Sequence, residues 1–349
     1  MSLADFSSDY DYTLPPELIR KVPLAIRDSA RLFVYDTATD TVRYDVFRNI
    51  ADYLPKESVV VLNDTRVRPA RLWLRKPTGG KIEVFVLVNE WTGTACIPAL
   101  VDRKVSIGDQ LRFPNGDRFI VERQEEQKFF FRLESKKTLF ELLEEFGTTP
   151  IPHYLEGDPV DEAALRARYQ TVFAHTGASV AAPTASLHFT ETVFRMLKQK
   201  GIEQTTLTLD IGLGTFAPLS EKNFETKKLH PEFVTVSTQV AQKLSMAQQA
   251  RKPCVAVGTT VTRTLETLGQ TGSIQPFQGL IDTFIFPPHR FRAVDILVTN
   301  FHLPQTSLMF LVDAFLQDKG ARRSIVELYQ LAIRERYSFY SFGDSMLIL

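Results

Sequence analysis

The sequence predicts a mixed α/β (α+β) fold, in which a barrel-like α/β domain is interrupted by a small all-β barrel domain. Strands and helices alternate after residue 138, whereas residues 66–137 contain only short strands separated by turns. With 44% hydrophobic and 23% charged residues among 349, the composition is that of an ordered globular protein with room for two domains. We therefore expect an α/β domain formed by residues 1–65 and 138–349, and a β-barrel domain formed by residues 66–137.

The N-terminal segment predicts a short helix followed by strands. PPELIRKV begins with proline, which is favoured in the first turn of a helix. RLFVYD and TVRYDVF are strand-like and flank a TATD turn, NIADYL predicts a helix, and the apolar run SVVVLND predicts a buried strand.

The inserted segment shows six short runs of alternating polar and apolar residues. These runs are RLWLR, IEVFVLV, TACIPALV, QLRFP, RFIVERQ and KFFFRLE. Turn signals such as TGG, IGD and PNGD separate them, and none of the runs has helical spacing. This pattern is typical of a small β sandwich or barrel.

The remaining chain begins with a predicted helix, TLFELLEEF, which ends at Gly147, and continues with a loop rich in proline and acidic residues, TTPIPHYLEGDPVDE. Helices are then predicted at TETVFRMLKQKG, TQVAQKLSMAQQA, TVTRTLETLG, SLMFLVDAFL and SIVELYQLAIRERY. Strands are predicted at QTTLTLDIG, PCVAVG, DTFIF and DILVTN. Such alternation favours an α/β layer or barrel with largely buried strands.

Charge and hydropathy restrict the class of protein. The formal net charge is zero, which argues against a general nucleic-acid binder but leaves room for a local basic patch around TRVRPARLWLRKPTGGK. Scattered solvated charges explain those residues equally well.

No apolar run approaches the roughly 18 residues of a membrane span, so we expect a cytoplasmic protein. Cys96 and Cys254 lie in apolar stretches and predict two buried thiols, with no metal site.

Polar clusters follow four predicted strands, at the edge where α/β folds usually assemble their sites. They are Asn63, Asp64 and Arg66 after SVVVL; Gly212, Gly214, Thr215 and Phe216 in DIGLGTF; Thr259, Thr260 and Arg263 in VGTTVTR; and Asn300 and His302 in TNFH. The glycines could let a flat ligand approach the backbone or could form a simple tight turn. The two threonines could bind an anion at a helix start or could simply cap the helix.

Three histidines are candidates for proton transfer, because imidazole is suited to it near neutral pH. His188 lies in SVAAPTASLHFTE, His302 precedes a proline-delimited turn, and His230 with Glu232 could form an orienting pair or a surface turn. A lone histidine such as His188 is more often a structural residue, and His302 could instead cap the last long helix. The chain contains no GxSxG, HExxH or P-loop motif, so the usual support for hydrolases, zinc proteases and NTPases is missing.

Eight ordered blocks resemble one known family from end to end. The blocks are RDSARLFVYD, VVLNDTRVRPARL, GGKIEVFVL, YQTVFAHTGASVAAPTASLHFT, LDIGLGTFAPL, VGTTVTRTLE, VDILVTNFHLPQTSLMFLVDAF and YSFYSFGDSMLI. In order and content they resemble the S-adenosylmethionine:tRNA ribosyltransferase-isomerases of queuosine synthesis. The resemblance is strongest at AAPTASLHFT and TNFHLP.

The resemblance implies a reaction, its partners and its site. A ribosyl-derived unit of S-adenosylmethionine would be attached to 7-aminomethyl-7-deazaguanine at the tRNA wobble position, giving epoxyqueuosine-tRNA and releasing adenine and methionine. S-adenosylmethionine is then a consumed substrate, no metal or further cofactor is implied, and we expect a monomer.

The implied roles follow from what the reaction needs. His188 would transfer protons, with His302 or His230 and Glu232 as second candidates. Arg263 with Thr259 and Thr260 would hold the methionine carboxylate. The remaining pocket residues would be Thr184, Gly212, Gly214, Thr215, Phe216, Asn63, Asp64, Arg66 and Asn300, and the tRNA phosphate contacts would be Arg31, Arg68 and Arg71. We expect His188, Arg263, Asn300 and His302 to converge on one cleft.

Several positions depart from the family pattern. They are Ser186, the segment 227–232, Leu280, Pro288 with His289, and Ser338. Two alternatives therefore accompany the leading interpretation: a divergent S-adenosylmethionine-dependent transferase with another acceptor, and a non-catalytic RNA-binding relative. Retention of so many buried polar side chains, with their desolvation cost, argues against the second alternative.

Overall fold

A computed structural model describes residues 9–151, 161–216, 219–270 and 272–349. Its strands are β1 (Arg31–Asp36), β2 (Thr41–Val46), β3 (Val59–Asn63), β4 (Thr65–Val67), β5 (Arg71–Arg75), β6 (Lys81–Val86), β7 (Cys96–Val101), β8 (Gln110–Arg112), β9 (Arg118–Glu125), β10 (Lys128–Glu134), β11 (Thr176–Ser179), β12 (Glu203–Asp210), β13 (Lys228–Val236), β14 (Cys254–Val257), β15 (Phe277–Thr283), β16 (Ile296–Asn300) and β17 (Ser345–Ile348).

Its helices alternate with these strands. They are α1 (Ile50–Tyr53), α2 (Leu139–Phe146), α3 (Glu162–Arg168), α4 (Glu191–Gln199), α5 (Glu221–Thr226), α6 (Thr238–Gln249), α7 (Thr259–Gly269), α8 (Ser307–Asp318) and α9 (Ile325–Arg334). Short 3-10 helices lie at Pro16–Leu18, Arg27–Ser29, Phe47–Asn49, Thr184–Ser186 and Leu213–Phe216.

The larger sheet has nine strands in the order β15-β13-β12-β3-β14-β16-β17-β1-β2. Its centre is parallel, because β12, β3, β14 and β16 all run in the same direction. The sheet is open, with β15 and β2 at its edges, and is not the barrel-like layer that the sequence predicted. Antiparallel strands at both ends leave edges that do not pair with each other.

Helices cover both faces of this sheet. Val59 and Val61 of β3 pack in the same cluster as residues of α6 to α9, whereas Val60 and Leu62 pack with residues of α1 and α4. Burial on two faces explains why the run VVVL is continuously apolar instead of alternating. The sheet is therefore the middle layer of three.

The smaller sheet is a closed barrel of six strands in the order β10-β7-β6-β5-β8-β9. All six strands correspond to the alternating runs of the sequence. Its core includes Leu72, Val84, Phe119 and Phe131, and helix α2 packs against it through Leu142 and its neighbours. Alternation of inward and outward side chains follows directly from the period of two in a strand.

Three local elements differ from the sequence expectation. PPELIRKV forms only the 3-10 turn Pro16–Leu18, because a short helix gains too few hydrogen bonds to offset its nucleation. The strand expected at DTFIF begins earlier, at Phe277, and ends at Thr283, before the prolines at 287 and 288 that cannot join a ladder. KLHPEF lies in strand β13, with its register shifted around Pro231.

The cysteines, the proline-rich loop and the length of the helices were also subjects of the sequence predictions. Cys96 and Cys254 are free thiols, half-buried in β7 and β14. Residues 152–160 of the proline-rich loop lie outside the described residues. Within the described ranges, no helix is both long and apolar enough to cross a membrane.

Candidate active site

The four polar clusters predicted from the sequence lie along one edge of the large sheet. Strands β12, β3, β14 and β16 are adjacent and parallel, so their carboxyl ends share that edge. Residues 63–64, 210–214, 258–260 and 300–302 lie at these ends or directly after them. The structure thus places all four clusters along one edge of the sheet.

A cleft of about 830 Å³ separates this edge from the barrel. Such a volume lies within the range of small-molecule sites. The sheet side contributes β12, β13 and β15, and the barrel side contributes the segment after β6, the start of β10 and helix α2. The lining residues are Arg68, Val88, Asn89, Glu90, Trp91, Thr92, Gly93, Lys128, Phe140, Gly177, Ala178, Asp210, Gly212, Leu213, Gly214, His230, Pro231, Glu232, Phe233 and Leu280.

A buried ion pair lies at the sheet side of the cleft. Arg263 of α7 donates from Nη2 to Oε2 of Glu232 on β13, and the two residues are only 5% and 3% exposed. The backbone N–H of Gly212 lies 3.4 Å from the other oxygen, Oε1. The pair orients the Glu232 carboxylate toward the GLG turn. Thr259 and Thr260 line a different, smaller cavity that Arg263 does not line, so the structure does not bring the three residues together as the carboxylate anchor that the sequence predicts.

His230 projects from the same strand and is solvent-exposed. A Cβ added to Gly214 would overlap the Cβ of His230, so glycine is required where the GLG turn meets this histidine. A Cβ on Gly212 would collide with Asn89 of the barrel side. The two glycines therefore permit close approach between the turn, β13 and the barrel.

Asp210 and Arg68 form the adjoining wall. Asp210 accepts hydrogen bonds of 2.8 Å from the Ala178 N–H and from the Thr65 hydroxyl, while burial raises the pKa of its carboxyl. The Arg68 guanidinium lies 4.6 Å from the ring centre of Phe140, and burial lowers its pKa. This wall thus combines a half-buried acid, a cation and an aromatic face.

The barrel side adds charges and an aromatic ring. Lys128 Nζ donates to Glu90 Oε2 at 2.5 Å, and Trp91 Nε1 donates to the Thr94 carbonyl at 2.8 Å. The Trp91 ring meets Phe140 edge to face at 5.5 Å. Carboxylates suit a cationic ligand, and the aromatic rings suit a flat base.

A second, much smaller cavity of about 60 Å³ lies farther along the edge, at β14 and β16. Its lining includes Thr184, Thr259, Thr260, Asn300 and His302. Thr184 Oγ1 donates to Asn300 Oδ1 at 3.0 Å, and His302 Nε2 lies 3.0 Å from Thr299 Oγ1. Burial lowers the pKa of His302 to about 3, so its imidazole is neutral at neutral pH.

His188 lies in a third place, a crevice of about 20 Å³ beside Arg27 and Phe342. Its Nδ1 is 3.3 Å from the Arg27 carbonyl, and burial lowers its pKa to about 4. The expectation that His188, Arg263, Asn300 and His302 converge on one cleft is therefore wrong. The edge is long, and residues spaced along it reach different cavities.

Two predicted binding residues, Asn63 and Arg71, make structural contacts within the protein. The Asn63 amide donates to the Leu209 carbonyl and accepts from the Leu209 and Thr65 N–H groups, which joins β3 to β12. Arg71 is 8% exposed, donates to the Ile151 carbonyl at 3.0 Å and lies 3.6 Å from Glu83. Arg71 is therefore not placed for a phosphate contact.

The remaining residues predicted for the site or for tRNA contacts lie at several separate places. Asp64 accepts from the hydroxyls of Thr206 and Thr208 at 2.8 and 2.7 Å. Arg66 is exposed and lies 3.6 Å from Glu144, and Arg31 stacks over Tyr337 at 3.8 Å. Residues 215 and 216 belong to the 3-10 helix Leu213–Phe216, and their side chains lie outside the described part of the structure.

The sequence reasoning missed Asp210 and the entire barrel side of the cleft. Asp210 directly precedes the glycines in DIGLG, so its place after a strand was an available signal. Asn89, Trp91 and Lys128 had no such signal, because their contribution depends on how the barrel docks against the sheet.

These features define a class: an α/β protein that faces a β barrel across a polar and aromatic cleft at the carboxyl edge of its sheet. A family model described as "Queuosine biosynthesis protein" matches residues 7–348. The chain belongs to this queuosine biosynthesis family.

Named relatives extend the similarity over nearly the whole chain. The S-adenosylmethionine:tRNA ribosyltransferase-isomerase of Aquifex aeolicus is 40% identical, over 98% of this chain and 99% of the relative. The Coxiella burnetii protein of the same name is 39% identical, over 98% of each chain. The crystal structure of S-adenosylmethionine tRNA ribosyltransferase from Thermotoga maritima is 32% identical, covers 98% of this chain and 100% of its own, and has a TM-score of 0.56.

Proposed function

We propose that this protein is an S-adenosylmethionine:tRNA ribosyltransferase-isomerase. It transfers and isomerises the ribosyl moiety of S-adenosylmethionine onto 7-aminomethyl-7-deazaguanine in the tRNA wobble position, giving epoxyqueuosine-tRNA and releasing adenine and methionine. The observation that carries this proposal is the 830 Å³ cleft, which lies on the carboxyl edge and combines acids with aromatic rings. The names of relatives that align over 98% of the chain support the same reaction.

The cleft is the proposed site for S-adenosylmethionine. Trp91 and Phe140 offer faces to adenine, while Glu90 and Asp210 attract the sulfonium and ammonium cations. S-adenosylmethionine is consumed in the reaction, and the proposal requires no further cofactor.

His230 is the proposed proton-transfer residue, supported by Glu232. Imidazole is suited to transferring protons near neutral pH, and among the histidines that the structure describes His230 lines the cleft. Glu232 follows two residues later on β13 and is held by Arg263. His188 and His302 are buried neutral side chains and take positioning roles along the same edge.

The domain organisation is part of the proposal. Residues 1–65 and 138–349 form the catalytic α/β domain, and residues 66–137 form the inserted barrel domain. Asn89 and Trp91 line the cleft from the barrel, which supports a role for the insert in completing the site. Arg68 at the cleft and Arg31 at the start of β1 are the proposed tRNA contacts retained from the sequence, and the protein acts as a cytoplasmic monomer.

The proposal is tested with purified protein, S-adenosylmethionine and tRNA bearing 7-aminomethyl-7-deazaguanine. Nuclease digests are analysed by mass spectrometry for epoxyqueuosine, and the supernatant is analysed for adenine. Both products in equal amounts support the reaction. Failure of the wild-type protein to form either product, although it binds S-adenosylmethionine, would contradict it.

One observation favours a second candidate, a transferase with another acceptor. Among the positions that depart from the family pattern, Leu280 and part of the segment 227–232 line the cleft, and Leu280 is exposed. Adenine release that depends on an acceptor other than this tRNA would favour the second candidate.

A further inference from the structure

Four cationic side chains lie side by side across the barrel. Arg75 of β5 pairs with Lys81 of β6 on one side and with Arg112 of β8 on the other, and Arg112 pairs in turn with Arg118 of β9. We call Lys81, Arg75, Arg112 and Arg118 the cation row. Adjacent members are directly opposite each other, where side chains are about 5 Å apart.

Most of the cation row lacks a neutralising partner. Arg118 lies 2.8 Å from Glu134, but Lys81, Arg75 and Arg112 are exposed and form no ion pair within the described ranges. Arg75 and Lys81 instead contact neutral groups: Arg75 donates to the Gly79 carbonyl at 3.2 Å, and Lys81 lies 4.2 Å from the centre of the Trp73 ring.

The neighbouring outer surface of the same barrel shows the opposite arrangement. On β9 and β10, Arg123 pairs with Glu125, and Arg132 lies within 2.8 Å of both Glu122 and Glu134. Like charges directly opposite on neighbouring strands destabilise a sheet. The cation row therefore costs folding stability, and no carboxylate in the part of the chain that the structure describes compensates for most of it.

Trp73 lies beside the row on the same outward face and is 40% exposed. A line of cations next to an exposed indole fits a polyanion that also carries flat rings, which is the chemistry of a nucleic-acid strand. A single small anion would need only one or two of these cations.

We propose that the cation row and Trp73 form a docking surface for the phosphate backbone of the tRNA substrate. This inference rests on the proposed function, because it takes tRNA as the partner. Lys81 begins β6, and Val88 beyond the end of this strand lines the cleft. At about 3.3 Å per residue the two lie roughly 20 Å apart along the chain. One tRNA arm could then contact the row with its backbone while its target base occupies the cleft.

The test compares two double variants of the full-length protein. Arg75→Ala/Arg112→Ala removes two unpaired cations, and Arg123→Ala/Arg132→Ala removes two paired cations from the adjacent surface. Dissociation constants for unmodified tRNA are measured by fluorescence anisotropy over a range of KCl concentrations. We expect the first variant to bind tRNA about tenfold more weakly at low salt, with a log–log salt slope smaller by about 2. The control variant should retain the wild-type slope.

Stability and turnover provide the discriminating readouts. Because like-charge repulsion is removed, the melting temperature of Arg75→Ala/Arg112→Ala should equal or exceed that of the wild type. At saturating tRNA its rate of adenine release should be unchanged, with a higher KM for tRNA only. Wild-type tRNA affinity and salt slope in this variant would overturn the docking surface, whether or not product forms. Conversely, wild-type protein that binds tRNA through the row but makes no product would contradict the proposed function alone.

Discussion

The two ends of the carboxyl edge of the sheet carry similar residue types but differ in access. At β12 and β13 the edge opens into a cleft of about 830 Å³ with an exposed His230. At β14 and β16 it encloses about 60 Å³ around His302, and burial holds the pKa of that histidine at about 3. A polar cluster at a strand end thus indicates a site only where the surroundings leave room for a ligand.

The largest expected effect concerns the open end. His230→Ala should lower kcat by about 10²–10⁴-fold if its imidazole transfers a proton, the usual contribution of general acid–base catalysis. Adenine release at saturating S-adenosylmethionine and tRNA measures the effect. His175→Ala, at an exposed histidine on the approach to β11, is the matched control and should retain activity. Equal activity of both variants would remove His230 from the mechanism.

The buried ion pair beneath the open end should matter mainly for stability. Arg263→Met leaves the Glu232 carboxylate buried without its guanidinium, and we expect a loss of about 3–5 kcal/mol in the free energy of unfolding. Urea denaturation measures this loss. The double variant Arg263→Met/Glu232→Gln should recover part of it, because the buried carboxylate charge is removed together with its guanidinium partner. Absence of recovery would show that Glu232 has other strong partners.

The buried histidine in the third crevice, His188, should make stability depend on pH. Unfolded His188 has a pKa near 6.5, whereas burial lowers the folded value to about 4. Between these values the unfolded state binds the additional proton, so stability falls as the pH falls. Relative to His188→Gln, the wild type should lose about 3 kcal/mol between pH 7 and pH 4. A difference that is independent of pH would mean that His188 is not buried as a neutral side chain.

The smallest expected effect tests the close approach of the GLG turn. Gly214→Ala forces the turn and His230 apart, and we expect a rise of about tenfold in KM for S-adenosylmethionine, equivalent to about 1.4 kcal/mol. Gly80→Ala, where the nearest atom is 3.9 Å from the added carbon, should leave KM unchanged. An unchanged KM in Gly214→Ala would place the ligand away from this turn.

The periodicity of the sequence predicted most of the strands and helices, because local sequence largely determines secondary structure. The six barrel strands and the buried strand β3 followed from alternation and from a continuous apolar run. Strand β13 was missed because Pro231 lies within it, and proline argues against a strand unless the register shifts there. The open sheet was missed because strand order depends on long-range pairing.

The site was predictable only in part, because its burial and its lining also depend on contacts between residues distant in sequence. Gly212, Gly214, His230 and Glu232 were identified by residue type, and they do line one cleft. The burial of Arg71 and His188 was not predicted, because the spacing of residues does not reveal burial. Trp91 and Asn89 were missed because a loop of the barrel completes the cleft through contacts distant in sequence.

The position of β17 has a consequence for synthesis on the ribosome. This strand lies between β16 and β1, inside the sheet, and anchors the hairpin of β1 and β2 that was made first. The Arg31 N–H bonds to Asp344, which is 313 residues later in the chain. At about 5–20 residues per second, the first hairpin waits roughly 15–60 s before its neighbour emerges. The apolar face of this hairpin therefore lacks its partner strand, and is open to aggregation, until β17 has been synthesised.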